Sequence, residues 1–332
     1  LLYGHGWMEQ KKSGNLEEEY HSLGEKQIGL VLQEEEGFPQ KLLEIPDPPY
    51  GLFYKGKLPE QKQPSVAVIG ARECSEYGRF VAEELGRYLG SQGIQVISGM
   101  ARGIDGISQQ AALLAGGTSY GVLGCGVDIC YPRQNRKLYE ELIQKGGLLS
   151  TYAPGTKALP AYFPPRNRIV SGLADALIVI EARQKSGTLI TVDMALEQGK
   201  DVYVVPGRIT DRLSDGCNRL LNQGAGVMLS PEQFLEEFLQ SWEERQELPV
   251  ESDIYKRKKK HRKNKNLQLK EPLKKVYERL TPVPKTAETI LAELWEKGEY
   301  LDIAALHRAL MELELSGYVR QSSPGYFGTS AN

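Results

Sequence analysis

From residue 65 onward, short apolar runs alternate with segments of helical spacing. Ser65-Val66-Ala67-Val68-Ile69-Gly70 is an apolar run closed by a glycine, which predicts a strand buried on both faces. Residues 77–92 place Phe80, Val81, Leu85, Tyr88 and Leu89 on or near one face of a helix. The alternation continues, with strands predicted at 94–98, 118–123, 148–150, 176–181 and 201–205 and helices at 105–115, 135–145 and 188–198. Strands that alternate with helices pair in parallel. The pattern therefore predicts an α/β unit with a doubly wound, mostly parallel sheet over residues 65–235.

The flanks read differently. In residues 1–64, Ile45-Pro46-Asp47-Pro48-Pro49-Tyr50 excludes helix, because proline lacks a donor and restricts the residue before it. This segment is expected to be an extended lead-in to a core. Residues 236–269 read as a charged linker. In 270–328, Leu273, Val276, Tyr277 and Leu280 have helical spacing, and 290–294 and 303–313 predict two further amphipathic helices. A Ser-Ser-Pro turn between Gly317-Tyr318-Val319-Arg320 and Gly325-Tyr326-Phe327 suits a hairpin. Three helices and a hairpin predict a winged helix, an architecture that serves both DNA binding and protein docking.

A length of 332 residues agrees with two domains, and 40% hydrophobic with 25% charged residues is ordinary globular composition. No apolar run approaches the roughly 20 residues that a membrane helix requires. Leu1-Leu2-Tyr3-Gly4-His5 lacks the basic start and apolar stretch of a signal peptide, and the absence of an initiator Met reads as a trimmed start. Cys74, Cys125, Cys130 and Cys217 form no C-x-x-C pair, so a disulfide framework is not expected and a reducing cytoplasm fits. The net charge of -2 hides an uneven distribution. Residues 231–253 carry 1 basic against 8 acidic residues, and eight bases crowd between Lys256 and Lys265. That run reads either as a solvated linker or as a basic arm that captures nucleic acid.

Several chemistries are excluded on motif grounds. The four histidines are His5, His21, His261 and His307, so the 65–230 segment cannot supply a Ser-His-Asp triad or a His-ligated metal. There is no G-x-x-x-x-G-K-[ST] and no G-x-S-x-G elbow. After the first strand Gly70 is followed by Ala71-Arg72-Glu73 and not by G-x-x-G, and the second strand ends at Ser98, not at an acidic residue. A nicotinamide cofactor is therefore not expected, nor is any other cofactor, metal or catalytic residue.

What the segment does contain is a set of strand ends rich in small residues and cations. Gly70-Ala71-Arg72 follows the first strand, and Ser98-Gly99-Met100-Ala101-Arg102-Gly103-Ile104-Asp105 follows the second. Phe163-Pro164-Pro165-Arg166-Asn167-Arg168 precedes the fifth, and Glu181-Ala182-Arg183-Gln184-Lys185-Ser186-Gly187-Thr188 follows it. Glycines let backbone N–H groups approach an anion, helix N-termini add a favourable dipole, and arginine offers bidentate bonds to phosphate. Taken singly, each piece has an ordinary structural reading: Asp105 as a helix cap, Phe163 as a packed loop aromatic, Glu181 as a tether for an Arg. Four such loops on one sheet edge form a phosphate-reading rim.

These strings, with Gly124-Cys125-Gly126-Val127-Asp128, Tyr131-Pro132, Val205-Pro206-Gly207 and Gly216-Cys217-Asn218-Arg219-Leu220-Leu221-Asn222-Gln223-Gly224-Ala225, resemble the DprA/Smf family of DNA-processing proteins. The similarity is close over about 38–230, 270–328 looks like that family's C-terminal winged helix, and 1–37 represents only part of its small N-terminal helical domain. It implies an extended Rossmann-like fold that binds single-stranded DNA, protects it during natural transformation, loads the RecA recombinase onto it, and dimerises through the Rossmann-like domain without an established catalytic role. Two positions depart from the family pattern: Gln109 where a His is usual and Thr151 where a Glu is usual.

The expected DNA-binding residues are Gly70, Ala71, Arg72, Ser98, Gly99, Arg102, Gly103, Phe163, Arg166, Asn167, Arg168, Lys185, Ser186, Gly187, Thr188 and Lys200. Arg72, Arg102, Arg166 and Arg168 are the main phosphate contacts among them. Arg166 and Arg168 are two apart and would point in nearly opposite directions on a regular helix, so at least one is expected in an extended turn held by Pro164-Pro165. Arg168 has an alternative place in an ion pair with Glu181 or Asp175. Two other functions compete: a phosphoribohydrolase-like nucleotide-processing enzyme, and a duplex-binding regulator acting through the winged helix. The first would need a Gly-Gly-x-Gly-Thr loop where this chain has Lys185-Ser186-Gly187-Thr188.

Overall fold

The structure is a computed structural model that describes residues 22–247, 272–280, 285–316, 318–323 and 326–329. The chain divides into two compact units, Leu1–Leu248 and Pro249–Asn332.

The first unit is built on a nine-stranded sheet. In chain order the strands are β1 (Gly29–Leu32), β2 (Gly51–Gly56), β3 (Ser65–Ile69), β4 (Gln95–Ser98), β5 (Ser119–Val122), β6 (Gly147–Ser150), β7 (Ala176–Val179), β8 (Asp201–Val204) and β9 (Gly226–Val227). Across the sheet they run β1-β2-β6-β5-β4-β3-β7-β8-β9. The seven strands from β6 to β9 are parallel, and β2 and β1 extend the β6 edge antiparallel. The helices are α1 (Glu76–Ser91), α2 (Ile104–Leu114), α3 (Arg136–Lys145), α4 (Phe163–Leu173), α5 (Gly187–Glu197), α6 (Asp215–Asn222) and α7 (Pro231–Glu247).

Every residue of β3 is buried, as its unbroken apolar run requires of a strand covered on both faces. Successive side chains serve different cores. Val66 and Val68 pack with Leu85, Leu89 and Phe234, while Ala67 and Ile69 pack with Leu173, Leu177 and Val192.

The lead-in does not stand apart from this unit. Residues 29–56 supply β1 and β2, and Phe38, Leu42 and Ile45 are buried against the core that holds Leu173 and Val170. Likewise the segment read as linker from residue 236 begins as helix. Phe234, Leu235 and Phe238 of α7 are buried in the core beneath α1, so the helix is held by its apolar face despite its acidic composition. Residues 248–269, with the basic run, lie outside the described residues.

The second unit contains α8 (Leu273–Tyr277), β10 (Lys285–Thr286), α9 (Ala287–Glu296), α10 (Ile303–Leu315), β11 (Val319–Ser323) and β12 (Tyr326–Thr329). Its sheet, β10-β12-β11, is antiparallel. The helices meet over Val276, Ile290, Leu294, Leu306, Leu310 and Leu313. Asp302 caps α10 by accepting from Ala305 N at 2.6 Å. Among the described residues no helix is long and apolar enough to cross a membrane.

The topology of the first unit fixes where a ligand sits. From β3 the chain moves to β4, β5 and β6 in turn, and α4 then returns it to β7 on the other side of β3. Strand order reverses between β3 and β7, and open sheets of this kind bind ligands in the crevice beyond the carboxyl ends of such a pair.

Candidate functional site

A cleft of about 590 Å³ opens beyond the ends of β3, β4 and β7. Its floor is a buried network. Gly99 N donates to Asp105 Oδ2 at 3.1 Å, and Met100 N donates to Gln109 Oε1 at 3.0 Å. Gln109 Nε2 donates in turn to Ser119 Oγ at 3.1 Å and Tyr120 O at 3.0 Å. The glutamine that departs from the family pattern therefore clamps the loop after β4 to β5. Gly103 closes that loop at φ 73°, in the left-handed region that favours glycine, and a Cβ there would strike Ala71 O and Arg72 O.

Arg166 lies inside this network and not on a phosphate rim. It is 6% exposed, and its Nη1 donates to Gly99 O at 2.7 Å and to Val122 O. Burial lowers its pKa, opposed by the nearby Asp105 carboxylate and reinforced by Arg72. Burial pushes the Asp105 pKa up, against Arg166 and the donors from Gly99, Ser98 and Gly70. Each charge thus favours the ionised form of the other through space. The guanidinium also occupies the space a side chain on Gly99 would need.

The expectation of an extended turn at Pro164-Pro165 is corrected. Both prolines fall in the first turn of α4, where their missing N–H groups have no intrahelical role, so Arg166 and Arg168 are both helical. They point apart. Arg168 reaches away from the cleft to accepting carbonyls at Pro46 and Asp47 and to the Asp47 carboxylate at 3.7 Å. Neither proposed acidic partner takes it. Asp175 Oδ2 accepts from Lys41 Nζ at 2.7 Å, and the buried Glu181 accepts from Ser75 N at 2.9 Å and from Ser75 Oγ, tying down the N-terminus of α1.

The walls carry the accessible chemistry. Arg72 is exposed, with Cζ 5.5 Å from the Phe163 ring centroid, and Arg166 Cζ lies 5.8 Å from the same ring. Tyr131, 45% exposed, stands beside Phe163 with ring centroids 5.6 Å apart. Opposite them, α5 begins at Ser186 with no side-chain cap. Gly187 and Thr188 line the cleft, and Thr188 Oγ1 donates to Gly70 O at 3.3 Å. An uncapped helix start presents unpaired N–H groups and the positive end of the helix dipole, the arrangement that binds phosphate.

Of the residues expected from sequence, Gly70, Ala71, Arg72, Gly99, Phe163, Arg166, Asn167, Ser186, Gly187 and Thr188 line the cleft. Arg102 lines a smaller recess beside it, shared with Arg72, Tyr131 and Phe163. Lys185 is exposed on the loop before α5. Ser98 is fully buried and donates to Val68 O at 2.6 Å, so it joins two strands and faces no ligand. Lys200 immediately precedes β8, at the amino end of the strands and therefore opposite the cleft. Burial lowers its pKa, opposed by Asp175 and reinforced by Lys41. Tyr131 and Arg183 also line the cleft but were not among the expected residues. The signal for Tyr131 was an aromatic on the long loop after β5; Arg183 lay within a loop already singled out.

Fold and site together define a Rossmann-like, doubly wound α/β protein whose switch-point cleft has an arginine and aromatic wall facing a helix N-terminus. The family model for DNA recombination-mediator protein A matches residues 29–239. The DNA processing protein DprA of Streptococcus pneumoniae is 43% identical over 201 residues, 60% of this chain and 71% of the relative. Protein Smf of Escherichia coli is 35% identical over 302 residues, 90% and 76%. Among solved structures, that of the Streptococcus pneumoniae DprA is 40% identical with a TM-score of 0.62, covering 66% of this chain and 78% of its own. A Helicobacter pylori DNA processing protein A, described for its single-stranded DNA binding mode, is 30% identical with a TM-score of 0.59, covering 65% and 97%. The chain belongs to the DprA/Smf family of DNA recombination mediators.

Proposed function

We propose that the cleft binds single-stranded DNA without sequence preference, and that the protein protects the strand and helps load the RecA recombinase onto it, without catalysis. The observation that carries this reading is the pairing of accessible Arg72 and the Phe163–Tyr131 aromatics with the uncapped start of α5 across one open cleft. Phosphate donors and stacking faces together suit a single strand, and neither reads base edges. The single-stranded DNA binding of the Helicobacter pylori relative supports the same reading. A homodimer acting in the cytoplasm, in transformation or recombination, is the setting that the family resemblance supplies.

Fluorescence anisotropy with single-stranded and duplex oligonucleotides across a salt series tests this. Single strands of different sequence should bind alike and more tightly than duplex, and log affinity should fall with log salt by about 0.7 per phosphate contacted. A flat salt response or a preference for duplex would remove the cleft from consideration. In the same assay Lys200→Ala and Arg168→Ala should leave affinity unchanged within about twofold, because those side chains face away from the cleft.

The second unit is proposed as a winged helix that docks protein. Exposed positions on α10 include Ile303, His307, Arg308, Met311 and Glu312, a face with one firm cation and little to read a groove. A chain ending after Leu248 keeps α7 whole and should retain most single-strand affinity.

A further inference from the structure

The cleft explains the loops after β3, β4 and β7, but not the one after β8. Residues 206–214 leave β8 at the same carboxyl edge and fold back onto the cleft wall. Ala182 N donates to Leu213 O at 2.8 Å, and Leu213 itself lines the cleft. The loop is held at both ends. Asn218 Oδ1 accepts from Gly207 N at 3.3 Å and Asn218 Nδ2 donates to Gly207 O at 3.1 Å. Asp211 N donates to Arg208 O and Ser214 N to Asp211 O, both at 3.0 Å, while the Asp211 carboxylate accepts from Leu213 N at 3.0 Å.

This clamped loop projects Arg208, Ile209, Thr210 and Arg212 outward. All four are exposed, Ile209 to 91%. Neither arginine has an ion-pair partner among the described residues, in contrast to Arg79, Arg87, Arg136 and Arg245, each of which pairs with a carboxylate. The charged neighbours on the same stretch are Asp211, whose carboxylate is engaged by the backbone, and exposed Asp215 at the start of α6. A single exposed isoleucine is ordinary. One held between two unpaired arginines, on a rigid loop continuous with a phosphate cleft, repeats the pairing of apolar face and cation that Phe163 and Arg72 make at the cleft's other wall.

We infer that the Arg208–Arg212 loop is a second contact for the strand, taking phosphates of nucleotides that emerge from the cleft past Arg183 while Ile209 packs against a base. This rests on the cleft's being a single-strand site. It makes the binding track longer than the cleft and sends the strand towards the β8 side of the sheet.

The test uses the full chain and two thymidine oligomers, one of about 6 nucleotides that only fills the cleft and one of about 20. Arg208→Ala/Arg212→Ala should weaken the long oligomer about tenfold at moderate salt and leave the short one unchanged. Its salt slope on the long oligomer should drop by about 1.4, the value for two phosphate contacts on a single strand. Ile209→Ser, which keeps both charges, should weaken the long oligomer without changing the slope. An unchanged long-oligomer affinity in the arginine pair overturns the inference, as does an equal loss on both lengths, which would assign the loop to the shape of the cleft. An Arg72→Ala control separates the two readings: if it binds both lengths like the parent, the cleft assignment fails, whatever the loop variants do.

Discussion

Replacing Arg166 by Met should cost about 1–3 kcal/mol of folding stability for each buried group it leaves unsatisfied, because two carbonyls lose their donor and Asp105 loses a nearby positive charge. The side chain is almost wholly enclosed, its guanidinium donates to Gly99 O and Val122 O, and its charge acts on Asp105 through space. Urea unfolding measures the loss directly. The pH response identifies the cause. Burial already raises the Asp105 pKa, and without Arg166 it rises further. A group whose folded pKa is raised contributes stability below its unfolded value and loses it as pH rises through the folded value. The gap between variant and parent should therefore be widest near neutral pH and narrow as pH falls and the Asp105 carboxyl takes up its proton, which it does above the ordinary carboxylate range. A gap independent of pH would mean that the loss came from packing alone. Arg72→Ala, by contrast, removes an exposed side chain and should alter stability by about 0.5 kcal/mol or less. Two arginines that look equivalent along the chain thus separate into one that builds the cleft and one that is free to use it.

That division shows what the sequence could and could not reveal. Strands β3 to β8 were legible to within about two residues, because a strand buried on both faces must be an unbroken apolar run and the intervening helices carry a matching period. β1 and β2 were not. Gly29–Leu32 and Gly51–Gly56 are short, and what makes them strands is antiparallel pairing, β1 with β2 and β2 with β6, about a hundred residues further on. α7 was hidden by its charge: eight acidic residues crowd 231–253, while Phe234, Leu235 and Phe238, with Leu239 and Trp242 beside them, fix the helix on the core. The start of α4 was misread because two adjacent prolines suggest extended chain, although the first helical turn accepts them. That single difference decides the fate of Arg166 and Arg168, since a helix sends residues two apart in opposite directions. Motif spacing picked out four segments that meet at one cleft, three loops and the start of α4, but which side chains face solvent is a property of the packing between them.

The other large effect is expected at Phe163. Its ring is wedged by Gly124, where an added Cβ would lie 3.0 Å from Cδ1, so the ring is held in place before any ligand arrives. Arg72 and Arg166 both lie within cation–π range of it. Arg166 is fixed by its carbonyl partners, whereas Arg72 is exposed and free to move. In the proposed complex a base stacking on Phe163 would compete with Arg72 for the ring and would leave the displaced guanidinium beside the strand's phosphate. Losing the ring should therefore cost the stacking term, about 1–3 kcal/mol per base, or roughly 5- to 150-fold in affinity for Phe163→Ala. Phe163→Leu keeps the bulk but not the π face and should lose nearly as much. Phe163→Tyr should bind like the parent. Because the arginine is positioned by the ring, Arg72→Ala and Phe163→Ala should not add: the double variant should bind more tightly than the product of the two single losses predicts. Strict additivity, measured by anisotropy at one fixed salt concentration, would show that the ring and the guanidinium contact the strand independently and would remove the exchange described here.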